Sequence, residues 1–523
     1  MTPLFALAGP LPKAGAVVAV LLAAGALLAR DQRQRALAMM GALLLAPVLL
    51  LADIWSSPQL AVMRDHPLPA AAAAIAGIGA VAALALLMAR RPLVLPLLTI
   101  LALPFRVPIQ VGGTTSNLLV PLYLVIAAGA LAAIVAGLRE GDAPQADAPA
   151  RWAPGWLERL LALSVALYGI QATYSADFDK ALQQIAFFIV PFALLFVLLA
   201  RVAWTPRLLR LCLGLLVGLA LVFSAIGYVE YATKHIFLNP KLLASNDLHT
   251  YFRTNSVFFD PNIYGRFLVV AMLAVAATML QSARAKLVWA GAAVLAALWA
   301  GLVLTLSQSS LGALLVGLTT LAVLRWGAKR VLLPAAAVAA LAVAAVLVTP
   351  STFGVNLHNL DSSSSGRTQL VSGGGALFRQ RPIAGYGSGA FVREYRRYEG
   401  GNVSPDAATA SHTIPITVAA EQGVIGLLAY LALLAAALAR LLGRRAGTSI
   451  ARSAVAAAFL ALVFHTLVYA AFLEDPLTWA LLGIGTALAA AAAPRPAPVP
   501  DVPARPPTAA ERSAARRAGL GTA

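Results

Sequence analysis

Residues 362–401 read SSSSGRTQLVSGGGALFRQRPIAGYGSGAFVREYRRYEGG, and residues 411–438 read SHTIPITVAAEQGVIGLLAYLALLAAAL. The first is polar and carries six arginines, Arg367, Arg379, Arg381, Arg393, Arg396 and Arg397. The second is an apolar helix opening at His412, with Ser411 before it as a reasonable N-cap. Nearly everything else in the chain is apolar sequence with short basic connections. A long loop among short ones is a place to look for chemistry.

The composition sets the frame. Of 523 residues, 60% are hydrophobic and 11% charged, and the mean hydropathy is +0.82. Soluble domains carry roughly 25% charged residues. The sequence therefore predicts an all-α, polytopic transmembrane helix bundle. A crossing takes about 20 apolar residues, and such windows centre near residues 20, 45, 79, 98, 128, 165, 190, 220, 272, 297, 317, 340, 427, 463 and 484, for about 12–15 spans. The window near 98 is short and flanked by Pro92, Pro96 and Pro104, so a broken or re-entrant segment is expected there. The windows near 297 and 317 are joined only by Ser307–Ser310, a tight turn. The first apolar run has Lys13 before it and Arg30, Arg33 and Arg35 after it, the reverse of a cleavable signal, and reads as a retained helix. Cys212 is the lone cysteine, so no disulfide forms within the chain.

The net charge of +18 suggests nucleic acid until the positions are considered. Most of the basic residues occupy one set of alternate connections: Arg30–Arg35, Arg90–Arg91, Arg139–Arg159, Arg201–Arg210, Arg284–Lys286, Arg325–Arg330, Arg440–Arg452 and the tail. That is the positive-inside pattern, which assigns those connections to the cytoplasm. The expected organisation is transmembrane helices over 1–349 with an outer loop at 233–262, a large outer loop over 350–411, further helices over 412–493, and a disordered cytoplasmic tail over 494–523.

The outer arginines run against this bias. Guanidinium groups chelate phosphate bidentately and stay charged, which suits a pyrophosphate at the membrane surface. Arg393, Arg396 and Arg397 in REYRRYE read more simply as an exposed helix paired with its own glutamates. Arg367 stands alone after a Ser/Gly run. His412, at a helix N-terminus, is held neutral and able to accept a proton; His66, His235, His249, His358 and His465 lack this placement. Glu421 lies nine residues further on, about 13 Å deeper along a helix. A carboxylate there marks either function or a partner that fixes helix packing. Arg266, in DPNIYGRFLVV, enters the membrane just inside the outer surface, with Arg253 on the loop before it. No His, Cys, Asp or Glu cluster has metal-ligand spacing and no Walker or dinucleotide glycine pattern occurs, so neither metal nor cofactor is expected.

These same blocks resemble the O-antigen ligase and O-antigen polymerase superfamily of bacterial envelope glycosyltransferases. FRTNSVFFDPNIYGRFL looks like the family's Phe–x–x–Pro–Asn block. GRTQLVSGGGALFRQRPIAGYGSGAF resembles its outer Gly-Arg and Pro-x-x-Gly-x-Gly segment. SHTIPITVAAEQGVIGLLAYLALL resembles its His-led helix with Glu-x-Gly-x-x-Gly, with ten residues between His412 and Gly423 as in the ligases. The resemblance implies an inverting, metal-independent glycosyltransferase of the bacterial inner membrane, working on the periplasmic side. It implies an undecaprenyl-pyrophosphate-linked glycan as donor, a sugar hydroxyl as acceptor, membrane lipid as surroundings and no nucleic acid. It carries the catalytic roles to His412, Arg367 and Arg266, with Arg253, Asn262, Arg379, Arg381 and Glu421 as substrate-binding candidates. Where the family often has Ser-Arg-Gly, this chain has Ser307-Gln308-Ser309. A polymerase joining lipid-linked repeats is the alternative activity, and a transporter of lipid-linked glycan, without chemistry, the alternative class.

Overall fold

The computed structural model describes residues 9–55, 61–111, 114–139, 153–237, 246, 251–348, 367–400, 413–443, 446–469, 471–492 and 510. The chain divides into a compact unit, Met1–Ala489, and a remainder, Ala490–Ala523. The expected tail over 494–523 falls almost wholly outside the described residues.

Long runs of Ala, Leu and Val favour helix, since all backbone polar groups must be paired within a segment that meets lipid. The first unit is accordingly a succession of helices: α1 (Pro10–Leu28), α2 (Gln32–Ile54), α3 (Ala61–Asp65), α4 (Pro67–Arg90) and α5 (Val94–Ala102). After a hairpin, β1 (Val107–Val111) and β2 (Thr114–Leu118), come α6 (Val120–Arg139), α7 (Trp156–Ala172), α8 (Phe178–Gln184), α9 (Val190–Leu199) and α10 (Pro206–Thr233). Then follow α11 (Pro261–Leu280), α12 (Ala285–Leu304), α13 (Gln308–Trp326) and α14 (Ala328–Val348). The outer segment contributes α15 (Arg367–Gln380) and α16 (Phe391–Tyr398), and the chain closes with α17 (Ile414–Leu441), α18 (Ile450–Val468) and α19 (Pro476–Ala491).

Among the described residues, twelve helices are long and apolar enough to cross a membrane, one of them running unbroken through α8, a π-helical turn at Ile185–Ile189, and α9. Three of the expected windows fall short of that length. The one near 98 is α5, nine residues long, and those near 165 and 484 are α7 and α19, of 17 and 16 residues. The polypeptide leaves α5 at Pro104 and turns into the antiparallel hairpin, Val107 opposite Leu118 and Val111 opposite Thr114, before α6 descends. The fold is therefore an all-α membrane bundle with one small hairpin at an end.

Boundaries follow local chemistry. Asp31, Thr205, Asp260, Ser307 and Ser449 each cap the helix behind them, accepting a backbone N–H from the first turn. Ser307 is thus a cap, and Gln308–Ser310 is the first turn of α13; the tight turn expected there is shifted back to Thr305–Ser307, with Leu306 at φ 50°. The most buried spans are α8–α9 and α11, around which the rest are laid, whereas α14 is peripheral. Ala16, Ala19, Ala23 and Leu27 line the buried face of α1, which packs on α2 and α7, since small side chains let helices approach closely.

Candidate active site

The N-terminal ends of α11 and α13 and the C-terminal end of α18 meet around buried polar side chains. Asp260 caps α11, accepting from Asn262 N at 2.6 Å. Asn262 Oδ1 in turn accepts from Ser307 Oγ at 2.7 Å, and Ser310 Oγ donates to the Asn262 carbonyl at 3.3 Å. His465, near the end of α18 and fully buried, places Nε2 3.2 Å from Ser309 Oγ and 3.3 Å from Ser310 Oγ. Its ring packs edge-on to Tyr469, whose hydroxyl is paired with Asp260 and held well above the ordinary phenol range by burial and by that carboxylate.

One turn into α11, Arg266 is 3% exposed and approaches Asp475, itself 3% exposed, at 2.6 Å. The two meet as charges without hydrogen-bond alignment, and Arg266 Nε has no hydrogen-bond partner among the described residues. Arg106, on the turn into the hairpin, lines the same small cavity of about 20 Å³. Burial lowers its pKa, Asp475 acts the other way, and Arg266 adds to the lowering. Two guanidiniums thus face one carboxylate in a cavity walled by Leu103, Phe258 and Phe267. At the turn into α13, Arg253 Nε donates to the Thr305 carbonyl at 3.0 Å, while Asn246 clamps the Arg253 backbone through both its N–H and its C=O.

A second polar cluster surrounds Glu421. Gly423, at φ 65° and ψ −163°, breaks α17 just past it and frees backbone groups on both sides of the break. The loop after α15 fills the gap: Tyr386 N donates to Ala420 O at 3.1 Å, Gly387 N to Glu421 O at 2.8 Å, and Val424 N to Pro382 O at 2.7 Å. The Glu421 carboxylate accepts from Gly389 N at 2.9 Å and Phe391 N at 3.0 Å. The end of α7 closes the other side, with Tyr174 Oη bonded to Ala384 O at 2.7 Å and Ser175 Oγ to Ser388 O at 2.8 Å. Pro-x-x-Gly-x-Gly is therefore a backbone-pinned platform.

Consecutive residues 474 and 475 join the clusters. Asp475 faces Arg266, while Glu474 accepts from Gln184, which also accepts from Tyr168; the Tyr168 carbonyl accepts from Ser388 of the platform at 2.9 Å. Burial raises Glu474 above its ordinary value, with Lys180 and the Gln184 hydrogen bond opposing.

The candidates named from sequence therefore separate. Asn262 and Arg253 reach the turn into α13 through Ser307 and Thr305, while Arg266, one turn into α11, faces Asp475. Glu421 holds the platform through both carboxylate oxygens, Arg381 lies 4.5 Å over the Tyr386 ring, and Arg379 is exposed at the end of α15. Arg393, Arg396 and Arg397 lie on α16 as expected, with Arg397 3.6 Å from Glu394. Arg367 opens α15, and its side chain lies outside the described residues, as do His412 and Ser411. The last helix of the motif begins at Ile414 with Thr413 as cap residue, later than the sequence suggested. Thr413 Oγ1 donates to Leu467 O at 3.1 Å, so the chain emerging from His412 is tied to α18 two residues from His465 and Tyr469. His465, Asp475 and Arg106 were not among the expected residues. The available signal was a histidine and an acidic pair, Glu474–Asp475, inside or beside otherwise apolar runs.

No curated protein matches the chain. A family model described as O-antigen ligase matches residues 292–431, which include α13, the arginine-bearing polar segment with its platform, and α17 as far as Leu431. With the multi-pass bundle and the blocks that surround this segment, the match supports a likeness of this part of the chain to the O-antigen ligase and polymerase superfamily of membrane glycosyltransferases.

Proposed function

We propose that the protein transfers a glycan from an undecaprenyl-pyrophosphate carrier to a sugar hydroxyl at the outer, periplasmic face of the bacterial inner membrane, as a ligase. The observation that carries this reading is the Arg106–Arg266 pair against the single Asp475 in a buried cavity. A site with more guanidinium than carboxylate suits a dianionic group, and in low dielectric each donor acts strongly on charge that develops as the leaving group departs. In this mechanism Arg266, aided by Arg106 and Arg253 and by Arg367 from the outer segment, binds the pyrophosphate. The acceptor oxygen attacks the anomeric carbon from the opposite face, the carbon–oxygen bond to pyrophosphate breaks, and configuration inverts. His412 takes the acceptor proton. The pinned platform keeps the arginine-bearing helices on rigid supports, which orientation-dependent catalysis requires.

Gln308, exposed where the family often has arginine, favours a second reading. An altered site edge beside Ser307 fits a different acceptor, a second lipid-linked repeat, and hence a polymerase. Both readings are tested with purified protein, a lipid-linked oligosaccharide and candidate acceptors. Wild type is expected to release undecaprenyl pyrophosphate with EDTA present, while His412→Ala, Arg266→Ala and Arg367→Ala fold and do not. A single added glycan identifies a ligase and a ladder identifies a polymerase. Binding of the lipid-linked glycan with no transfer leaves a transporter.

A further inference from the structure

An internal space with a buried arginine in its wall lies at the opposite, basic face. It is a cavity of about 410 Å³ among the ends of α4, α6 and α9 and the starts of α2 and α10, with Arg35 and Arg201 in its wall. Arg35 is 3% exposed. One of its terminal nitrogens, Nη2, donates to the Ala29 carbonyl; the other, Nη1, is buried without a hydrogen-bond partner among the described residues. An unmatched buried donor of a cation is costly and favours a bound acceptor.

Arg201 lines the same cavity, and its positive charge opposes that of Arg35. Arg201 keeps an exposed edge, and partial desolvation by its neighbours brings its pKa down to about 10. No Asp or Glu lines the cavity. The nearest acidic influence, Asp31, is exposed and caps α2 through Gln34 N. The remaining walls are apolar, with Met39, Met88 and Leu198 along the sides and small residues at 129, 132, 133 and 137 making room. Two partly desolvated arginines beside an apolar slot match an anionic headgroup with a hydrocarbon chain. Basic pockets between transmembrane helices on the cytoplasmic side take phosphate headgroups of this kind.

We propose that this cavity binds one anionic phospholipid from the leaflet at the basic face, its phosphate between Arg35 and Arg201 and an acyl chain along Met39, Met88 and Leu198. The site is separate from the outer-face glycan site and its occupancy does not depend on that chemistry.

The test is native mass spectrometry of delipidated protein in neutral detergent, titrated with phosphatidylglycerol, phosphatidylethanolamine or inorganic phosphate. One phosphatidylglycerol is expected to bind saturably, and phosphatidylethanolamine more weakly. Arg35→Gln and Arg201→Gln should each lower phosphatidylglycerol affinity about tenfold or more, the effect of losing one charge-assisted hydrogen bond. Ala132→Trp, which occupies the slot without changing charge, should abolish binding, whereas Arg33→Gln, exposed and outside the cavity, should leave it unchanged. Arg33→Gln eluting and melting as wild type, together with Ala132→Trp, keeps the comparison informative if an arginine variant unfolds. Equal binding by wild type and Ala132→Trp, equal affinity for the two lipids, or displacement of phosphatidylglycerol by millimolar phosphate would each overturn the proposal, the last in favour of a free-phosphate site.

Discussion

Arg266 combines two roles that a single substitution confounds. Removing one partner of a buried ion pair strands the other, at a cost of about 3–5 kcal/mol. Asp475→Ala is therefore expected to lower the melting temperature markedly, more so because Asp475 Oδ1 also accepts from Leu477 N at 2.9 Å at the start of α19. Replacing both members, Arg266→Met with Asp475→Leu, removes the stranded charge and should restore much of that stability. Under the proposed mechanism the double variant stays inactive, because nothing replaces the guanidinium at the pyrophosphate. Transfer at the wild-type rate would reduce Arg266 to a packing residue. Glu474 supplies a pH test. Its folded pKa is raised from 4.5, chiefly by burial. A raised carboxyl contributes stability that is present below 4.5 and is lost as pH rises through the folded value. Thermal unfolding between pH 5 and pH 8 should show wild type losing stability as the pH rises, with Glu474→Gln showing a flatter profile.

At the scale of elements, the platform depends on α17 being interrupted. A Cβ on Gly423 would lie 2.2 Å from the Ile383 carbonyl oxygen, and one on Gly385 would lie 2.3 Å from the Glu421 carbonyl. Both glycines also have positive φ, at 65° and 68°. Gly423→Ala or Gly385→Ala should cost about 1–3 kcal/mol and separate the loop from the helix. Limited proteolysis across residues 381–400 would detect this as faster cleavage, and unchanged cleavage would show that the backbone pairing is dispensable. Glu421→Gln presents an amide donor to Gly389 N or Phe391 N, leaving a buried N–H unmatched for about 1–3 kcal/mol. A milder release of the same loop is expected.

For the whole molecule, orientation follows from where the basic connections lie. In a Cys212→Ala background, Arg393→Cys and Arg284→Cys should label differently with a membrane-impermeant maleimide. The first should react from outside intact cells or spheroplasts, and the second only after permeabilisation. The reverse pattern would put the arginine-rich segment and its platform on the cytoplasmic side and remove the basis for a periplasmic site.

The sequence alone determined the bundle, because hydropathy over some twenty residues is a local property and lipid permits little besides helix. It also determined α16, the shortness of the segment near 98, and Arg266 entering the membrane just after the Asp-Pro-Asn block. The tertiary structure decided what those residues meet. Arg106, Arg266, His465 and Asp475 are spread over several hundred positions, and their assembly depends on helix packing that no local pattern encodes. The same holds for Glu421, whose partners are backbone amides of a loop that reaches it only because Gly423 breaks the helix. The Arg35–Arg201 cavity is the third case: both arginines read as ordinary topology signals until packing buries Arg35 and places Arg201 in the wall of the same cavity.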